Sequence, residues 1–329
     1  HNKYWGNHPD VMSPAAVRRF IELTHERYRK RFGSKFGKTI PSVFVDETAP
    51  GWSGLIPAEF VKAYGYDLGG ELHALQDESH PRHLAVKADL ERLKYRLFCE
   101  AFEKPVAAWC RRNRLIYTGE KPSMRLAQMR FMDIPGCDPG HTKAGAPLDI
   151  FRAVHRSNAR ATASGAYFYG KPGALCECYH SLGWGATLQD AKIVADGLML
   201  AGISGLVPHG LFYSTHALRK HDAPPSFFFQ MPFWPFFGAL ARRTDKILDA
   251  FKNTHIDARV LIVDPHPGLP TEADLAAYVR LQQTLLQNHT DFLMVDTDIL
   301  ESGKIRAGRV RIRHVDARLV VMPPMRVIE

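Results

Sequence analysis

Two acids stand side by side at Asp46 and Glu47, where the apolar run Thr39-Ile-Pro-Ser-Val-Phe-Val45 stops and a loop with Pro50-Gly51 and Trp52 begins. A third, Glu177, ends the apolar run Gly173-Ala-Leu-Cys176 and is followed by Trp184. A carboxylate at the end of a buried strand is costly to bury unless it is paired, so each position reads as a reacting group or as half of an ion pair. Two carboxyl groups on separate strands can flank a glycosidic bond, one as general acid and one as base or nucleophile, and tryptophan faces suit sugar stacking. Glu177, Glu47 and Asp46 are therefore the candidate catalytic residues, with Trp52 and Trp184 as candidate sugar platforms. Neighbouring side chains on a strand point to opposite faces, so at most one of Asp46 and Glu47 is expected to enter the site.

Other polar groups fall at comparable places. Glu120, after Thr118-Gly119, competes with Glu47 for the acid role. His209 and Tyr213, in Pro208-His-Gly-Leu-Phe-Tyr-Ser214, read as partners of substrate hydroxyls or orienters of Glu177, with a half-buried structural histidine as the alternative. Asp138 and His141, in Pro135-Gly-Cys-Asp-Pro-Gly-His141, can meet a ligand or metal, or simply build a turn. The residues alone define no metal set.

These positions share a structural logic. Ser13-Pro14 reads as a helix cap followed by Val17, Phe20, Ile21, Thr24 and Tyr28 at helical spacing, ending near Gly33 and leading into the first strand. Helical stretches over 84–111, 147–164 and 188–201 alternate with short apolar runs at Leu115-Ile-Tyr117, Met129-Arg-Phe131-Met132, Gly173-Ala-Leu-Cys176 and Ile203–Val207. Helices alternating with fully apolar strands imply a parallel sheet covered on both faces. Five such units, with polar residues at the strand ends, fit the later part of a (β/α)8 TIM-type barrel, incomplete at its N-terminal side and occupying residues 1–252. An open doubly wound sheet is the alternative, with its ligand at a switch point. A second, partial flavodoxin- or amidotransferase-like α/β domain is expected over 253–329, from the strands Ala258–Val263, Phe292–Val295 and Leu319–Met322 and a helix capped by Thr271 and Asp274. It holds no cysteine, which excludes an amidotransferase nucleophile.

Composition narrows the classes further. With 45% apolar and 23% charged residues over 329 positions, the chain is neither disordered nor a disulfide-stapled miniprotein. Its apolar stretch over 227–240 is broken by Gln230, Pro232, Pro235 and Gly238, so no membrane span is expected. The net charge of +9 is dispersed, and the basic group Arg18, Arg19, Arg27, Arg29, Lys30 and Arg31 follows a solvated helix face; no nucleic-acid partner is expected. The five cysteines lack paired zinc spacing, and Gly65 and Gly69-Gly70 belong to no phosphate loop, so no nucleotide cofactor is expected. The aromatic cluster over 227–237 is read as core packing.

The pattern resembles glycoside hydrolase family 106, the α-L-rhamnosidase family. It rests on the string from Ser13 to Tyr28, Phe44-Val-Asp-Glu47, Trp109-Cys110 before Tyr117-Thr-Gly119, and Pro135-Gly-Cys-Asp138. Further on it includes Glu177 with Gly183-Trp184, Pro208–Ser214, and Pro224-Pro-Ser226 leading to Gln230 and Trp234. The resemblance implies an exported enzyme hydrolysing a terminal rhamnoside with inversion, on a carbohydrate substrate, with calcium near the sugar hydroxyls and a barrel whose first three strands precede His1. It places Glu177 at the seventh barrel strand and Asp46 or Glu47 at the fourth. Where relatives often carry histidine after Thr-Gly, this chain has Glu120, and Cys176 replaces a small residue before Glu177. A retaining glycosidase of another sugar specificity and a non-catalytic carbohydrate-binding barrel remain the competing readings.

Overall fold

The computed structural model describes residues 8–121, 125–139 and 158–328. The chain enters through α1 (Pro14–Leu23), where the Ser13 hydroxyl accepts from the Ala16 amide at 3.4 Å, and turns into α2 (His25–Phe32). β1 (Ser42–Val45) follows, then α3 (Ile56–Tyr64) and α4 (Leu72–Gln76). Helix α5 (His83–Phe98) runs through a π turn into α6 (Lys104–Arg112), so the helical stretch expected over 84–111 is bent but nearly unbroken. β2 (Ile116–Gly119) and β3 (Ile134–Cys137) come next, and α7 (Ala159–Phe168) starts at Asn158, whose side chain accepts from the Ala161 amide. β4 (Leu175–Cys178), α8 (Leu188–Leu200), β5 (Gly205–Pro208) and α9 (Trp234–Phe251) complete the first part.

The five strands pair in parallel in the order β1-β2-β3-β4-β5, a curled half-barrel. Helices cross over its outer face, where Tyr117, Cys137, Cys176 and Cys178 are buried in the main core. The other face is concave and open. Phe44, Ile116 and Val207 are each more than a third exposed there, and Glu177, in register with Val207, shares that face. Successive strand residues alternate faces, which puts the cysteines flanking Glu177 under the helices and the acid itself on the concave side.

One strand lies elsewhere than expected. Residues Leu126–Phe131 form a 3-10 turn, and the strand is Ile134–Cys137. Pro135 and Gly136 are poor strand formers, and proline lacks a ladder donor, so the sequence pattern passes over them. Here Gly136 permits close approach to β2, because a Cβ would meet the Gly119 carbonyl oxygen at 2.8 Å. Of the helix expected over 147–164, the residues before Asn158 lie outside the described residues.

After α9 a second parallel sheet forms from β6 (Val260–Val263) and β7 (Phe292–Val295), joined by α10 (Glu272–Gln287). Thr271 and Asp274 make the expected reciprocal cap of α10. A short helix α11 (Thr297–Glu301) then leads to an antiparallel sheet of β8 (Lys304–Arg306), β9 (Arg309–Ile312) and β10 (Val315–Ala317), which the sequence reading did not anticipate. Its first turn, Ala307-Gly308, has φ of 50° and 69°, the two-residue hairpin geometry that suits strand twist. β11 (Leu319–Val321) returns to pair with β6, giving the order β11-β6-β7. Val260, Ile262, Tyr278, Phe292 and Met294 join the same apolar core as the barrel helices. No helix among the described residues is long and apolar enough to cross a membrane.

Candidate active site

All five barrel strands point the same way, so their carboxyl ends form one rim, and the polar residues read from the sequence lie along it. β1 delivers Asp46 and Glu47, β2 delivers Glu120, β3 Asp138, β4 Glu177 and β5 His209.

At the first two strands, three acids meet. Asp46, Glu47 and Glu120 bring carboxyl oxygens within 4.8 Å of one another. Two features of the backbone cause this. Glu47 has φ of 49°, so the chain leaves the extended conformation and both Asp46 and Glu47 reach Glu120. The expectation that only one of the pair would enter the site assumed a strand continuing through Glu47, and it is corrected by that turn. Gly119 supplies the second feature: at φ 152° it lies so close to β1 that a Cβ would fall 2.1 Å from the Val45 carbonyl oxygen. The Glu120 amide then donates to that oxygen at 3.1 Å, and the Glu47 amide donates to Glu120 Oε1 at 3.3 Å. Glu120 is buried while Asp46 and Glu47 are exposed. Three hard oxygen donors without histidine or cysteine suit calcium or magnesium, so the donor chemistry fits the cation that the resemblance implies.

At the other end of the rim, Asp138, buried after β3, pairs with Nε2 of His180. His180 Nδ1 lies 3.0 Å from the Ser181 hydroxyl, so in the neutral ring Nε2 donates to Asp138 while Nδ1 accepts from Ser181. The His180 ring meets the His209 ring edge to face at 5.8 Å, and His209 in turn contacts Phe212. The His209 amide donates to the Cys178 carbonyl at 2.8 Å, which ties the β5 end to β4 beside Glu177. Burial, and then the neighbouring His180, hold the His209 imidazole below the ordinary histidine range. Its Nδ1 is buried without a hydrogen-bond partner among the described residues. Such a group is satisfied when a ligand or water supplies one. Burial pushes the Cys176 and Cys178 thiols far up, and they face the helices, so neither is a nucleophile toward the concave side.

The remaining sequence candidates spread outward. Trp184, in the loop after β4, anchors its Nε1 on the Lys220 carbonyl at 2.7 Å and meets Phe212 edge on. Trp52 is 60% exposed beyond β1, and Tyr213 is 92% exposed, so the structure does not bring Tyr213 to Glu177. His141 lies outside the described residues. The sequence reading missed His180. Its position three residues after Glu177 was the available signal, but its partner Asp138 lies 42 residues away and only the fold joins them.

No family model and no curated protein matches this chain. Among solved structures, the rhamnosidase from Novosphingobium sp. PP1Y is similar, with a TM-score of 0.69 at 16% identity, over 96% of this chain and 33% of that one. Two structures of a GH42 beta-galactosidase from G. stearothermophilus are also similar; one has a TM-score of 0.61 at 12% identity, over 89% of this chain and 50% of that one. The other gives 0.58 at 11%, over 88% and 50%. The chain thus shares a TIM-barrel-like fold with these neighbours and spans a third to a half of their length.

Proposed function

We propose that the protein containing this chain is a glycosidase, of α-L-rhamnosidase type and inverting, and that this rim carries its two working carboxyl groups. The observation that carries the reading is the placement of the acids: Glu177 on β4 and the Asp46, Glu47 and Glu120 group at β1 and β2 stand at the carboxyl ends of one curled parallel sheet. Three strand spacings separate β1 from β4, about 14 Å along the arc. An inverting pair needs carboxyl groups roughly 6.5–9.5 Å apart, so this reading requires the curl and the inward-reaching side chains to close that gap.

In this reading one carboxyl group protonates the leaving oxygen while another accepts a proton from the attacking water, and Glu177 supplies one of these functions. Beside Glu177, at the end of β5, the buried Nδ1 of His209 gains a sugar hydroxyl as partner, and the Asp138–His180 pair holds the wall against which His209 packs. One of Asp46 and Glu47 is the second working carboxyl group, and the other together with Glu120 would hold calcium, which when bound orients sugar hydroxyls. Trp184 offers an aromatic face to the sugar ring.

The test uses the whole protein and a panel of aryl glycosides that includes α-L-rhamnoside and β-galactoside. Glu177→Gln is expected to lower kcat by about 10²–10⁴, with sugar binding kept. Hydrolysis unchanged in that variant removes Glu177 from the reaction, and absence of hydrolysis across the panel with binding retained favours the carbohydrate-binding alternative. A chelator is expected to weaken rhamnoside binding, with recovery on adding calcium.

A further inference from the structure

A second cleft lies outside the barrel mouth and owes nothing to the reading above. It measures about 350 Å³ and opens between the helical shell of the half-barrel and the carboxyl ends of β6 and β7. That volume is within the range of small-molecule sites.

The cleft is polarised. One wall carries the guanidinium groups of Arg92 and Arg96, from α5, and of Arg125. The opposite wall carries Asp264 and Asp296, the residues that directly follow β6 and β7. Much of the charge around it is neutralised in ion pairs: Arg92 with Asp89 at 3.4 Å, Lys104 with Glu100 at 4.0 Å, and Arg130 with Asp298. Arg96 has one long contact, 3.9 Å to Glu59, which leaves most of its five donors for other acceptors. Arg125 has no ion-pair partner among the described residues; its guanidinium lies over the Tyr95 ring at 4.8 Å, which orients its planar fork.

The carboxyl groups opposite are equally fixed. His266 Nδ1 holds Asp264 Oδ1 at 2.7 Å, while the Tyr169 hydroxyl donates to Asp296 Oδ2 at 2.7 Å and the Ile299 amide to its Oδ1 at 2.8 Å. A carboxylate has about four acceptor positions, so Asp296 can still take a ligand hydroxyl, while the buried Asp264 with His266 fixes the floor beside it. The topology points to the same place. β6 is central, its crossover through α10 goes to β7 on one side, and β11 arrives on the other, which makes the carboxyl end of β6 a switch point of the kind where open parallel sheets bind ligands.

We propose that this cleft binds a small polyhydroxylated anion, a sugar acid or sugar phosphate, with its anionic group on Arg96 and Arg125 and its hydroxyls on Asp296. An extended polyanion does not fit, because the second wall would repel its further charges. A bare metal cation does not fit either, because the guanidinium groups of Arg96 and Arg125 line the same cleft.

The test is calorimetric titration of the whole protein with glucuronate, glucose 1-phosphate, glucose and inorganic phosphate. At least one of the first two is expected to bind with a Kd below about 1 mM, and glucose at least about tenfold more weakly. The tighter of the two identifies the source of the anionic group. Arg125→Ala is expected to weaken binding about tenfold or more, with Arg125→Gln as a second variant should the first misfold. Asp296→Asn is expected to weaken the sugar ligand while leaving inorganic phosphate unaffected. No binding by either anion, equal binding of glucose, or an affinity unchanged in both Arg125 variants overturns the proposal. So does binding that disappears in Glu177→Gln, which would put the ligand in the barrel; failure of the glycosidase reading leaves this titration untouched.

Discussion

His209 shows how the site ties protonation to folding. Its imidazole lies below the ordinary range because burial disfavours the cation, and His180 beside it adds to the effect. His25, packed edge on against Trp109 at 4.9 Å, is held down by burial in the same direction. As pH falls through roughly 6.5, the unfolded chain takes up these protons before the folded one does, so stability is lost between that pH and the depressed folded values and is level above it. The urea midpoint of the whole protein is therefore expected to hold steady from about pH 8 to 7 and to decline as the pH falls below about 6.5. His209→Gln is expected to flatten that decline, and an identical slope in the variant would refute the assignment. Single residues were also where the sequence was most and least informative. Glu177, Asp46, Glu47 and Glu120 could be found because each ends an apolar run, a local signal. The pairing of Asp138 with His180 could not, because neighbouring strand ends meet only after the crossover through α7 has been closed.

The elements explain why some of that rim was legible and some was not. β1 and β7 are largely apolar runs bounded by polar residues, and β4 is marked by the apolar run that ends at Glu177; such runs announce themselves. β3 does not, because Pro135 and Gly136 contradict strand propensity, and their presence is explained by what neighbouring strands require. Nor do β8, β9 and β10, whose charged residues, including Arg306, Arg309, Arg311 and Asp316, mask a hairpin carried by its turn. Gly119 is the clearest case of an element set by a residue with no side chain. Its closeness to β1 both pairs the strands and aims Glu120 at Glu47. Gly119→Ala is expected to destabilise the protein by about 1–3 kcal/mol or more, since the new methyl group meets backbone that cannot move aside. It is also expected to weaken calcium binding at the acid cluster. Denaturant unfolding and a calcium titration, run on the same preparation, check both; a stable variant with unchanged calcium affinity would mean that strand spacing does not set the acid cluster.

At the scale of the molecule, the half-barrel and the C-terminal sheet are joined by more than chain continuity, and α7 is the joint. Asn158 donates to Gln282 Oε1 at 2.8 Å, and the Met294 amide donates to the Ser164 hydroxyl at 2.9 Å. Arg160, only 1% exposed, reaches the Leu200 carbonyl at 3.1 Å, the Phe292 carbonyl at 3.4 Å and Asp291 at 3.2 Å, with its guanidinium over the Phe292 ring. One buried cation thus links the end of α8 to the start of β7, and burial lowers its pKa while Asp291 opposes that shift. Asp291 is about half exposed, so removing the arginine leaves that acid to water, whereas the buried Phe292 carbonyl loses a donor. Arg160→Met keeps much of the volume and is expected to lower stability by about 2–4 kcal/mol, the order associated with unsatisfied buried acceptors. Because α7 packs on β3 as well as on β7, the loss is expected to fall on both units together. Unfolding followed at once by near-ultraviolet circular dichroism and by amide exchange should then keep a single transition, shifted as a whole. Two separated transitions in the variant, with the barrel amides as protected as before, would show that α7 belongs to the C-terminal sheet alone.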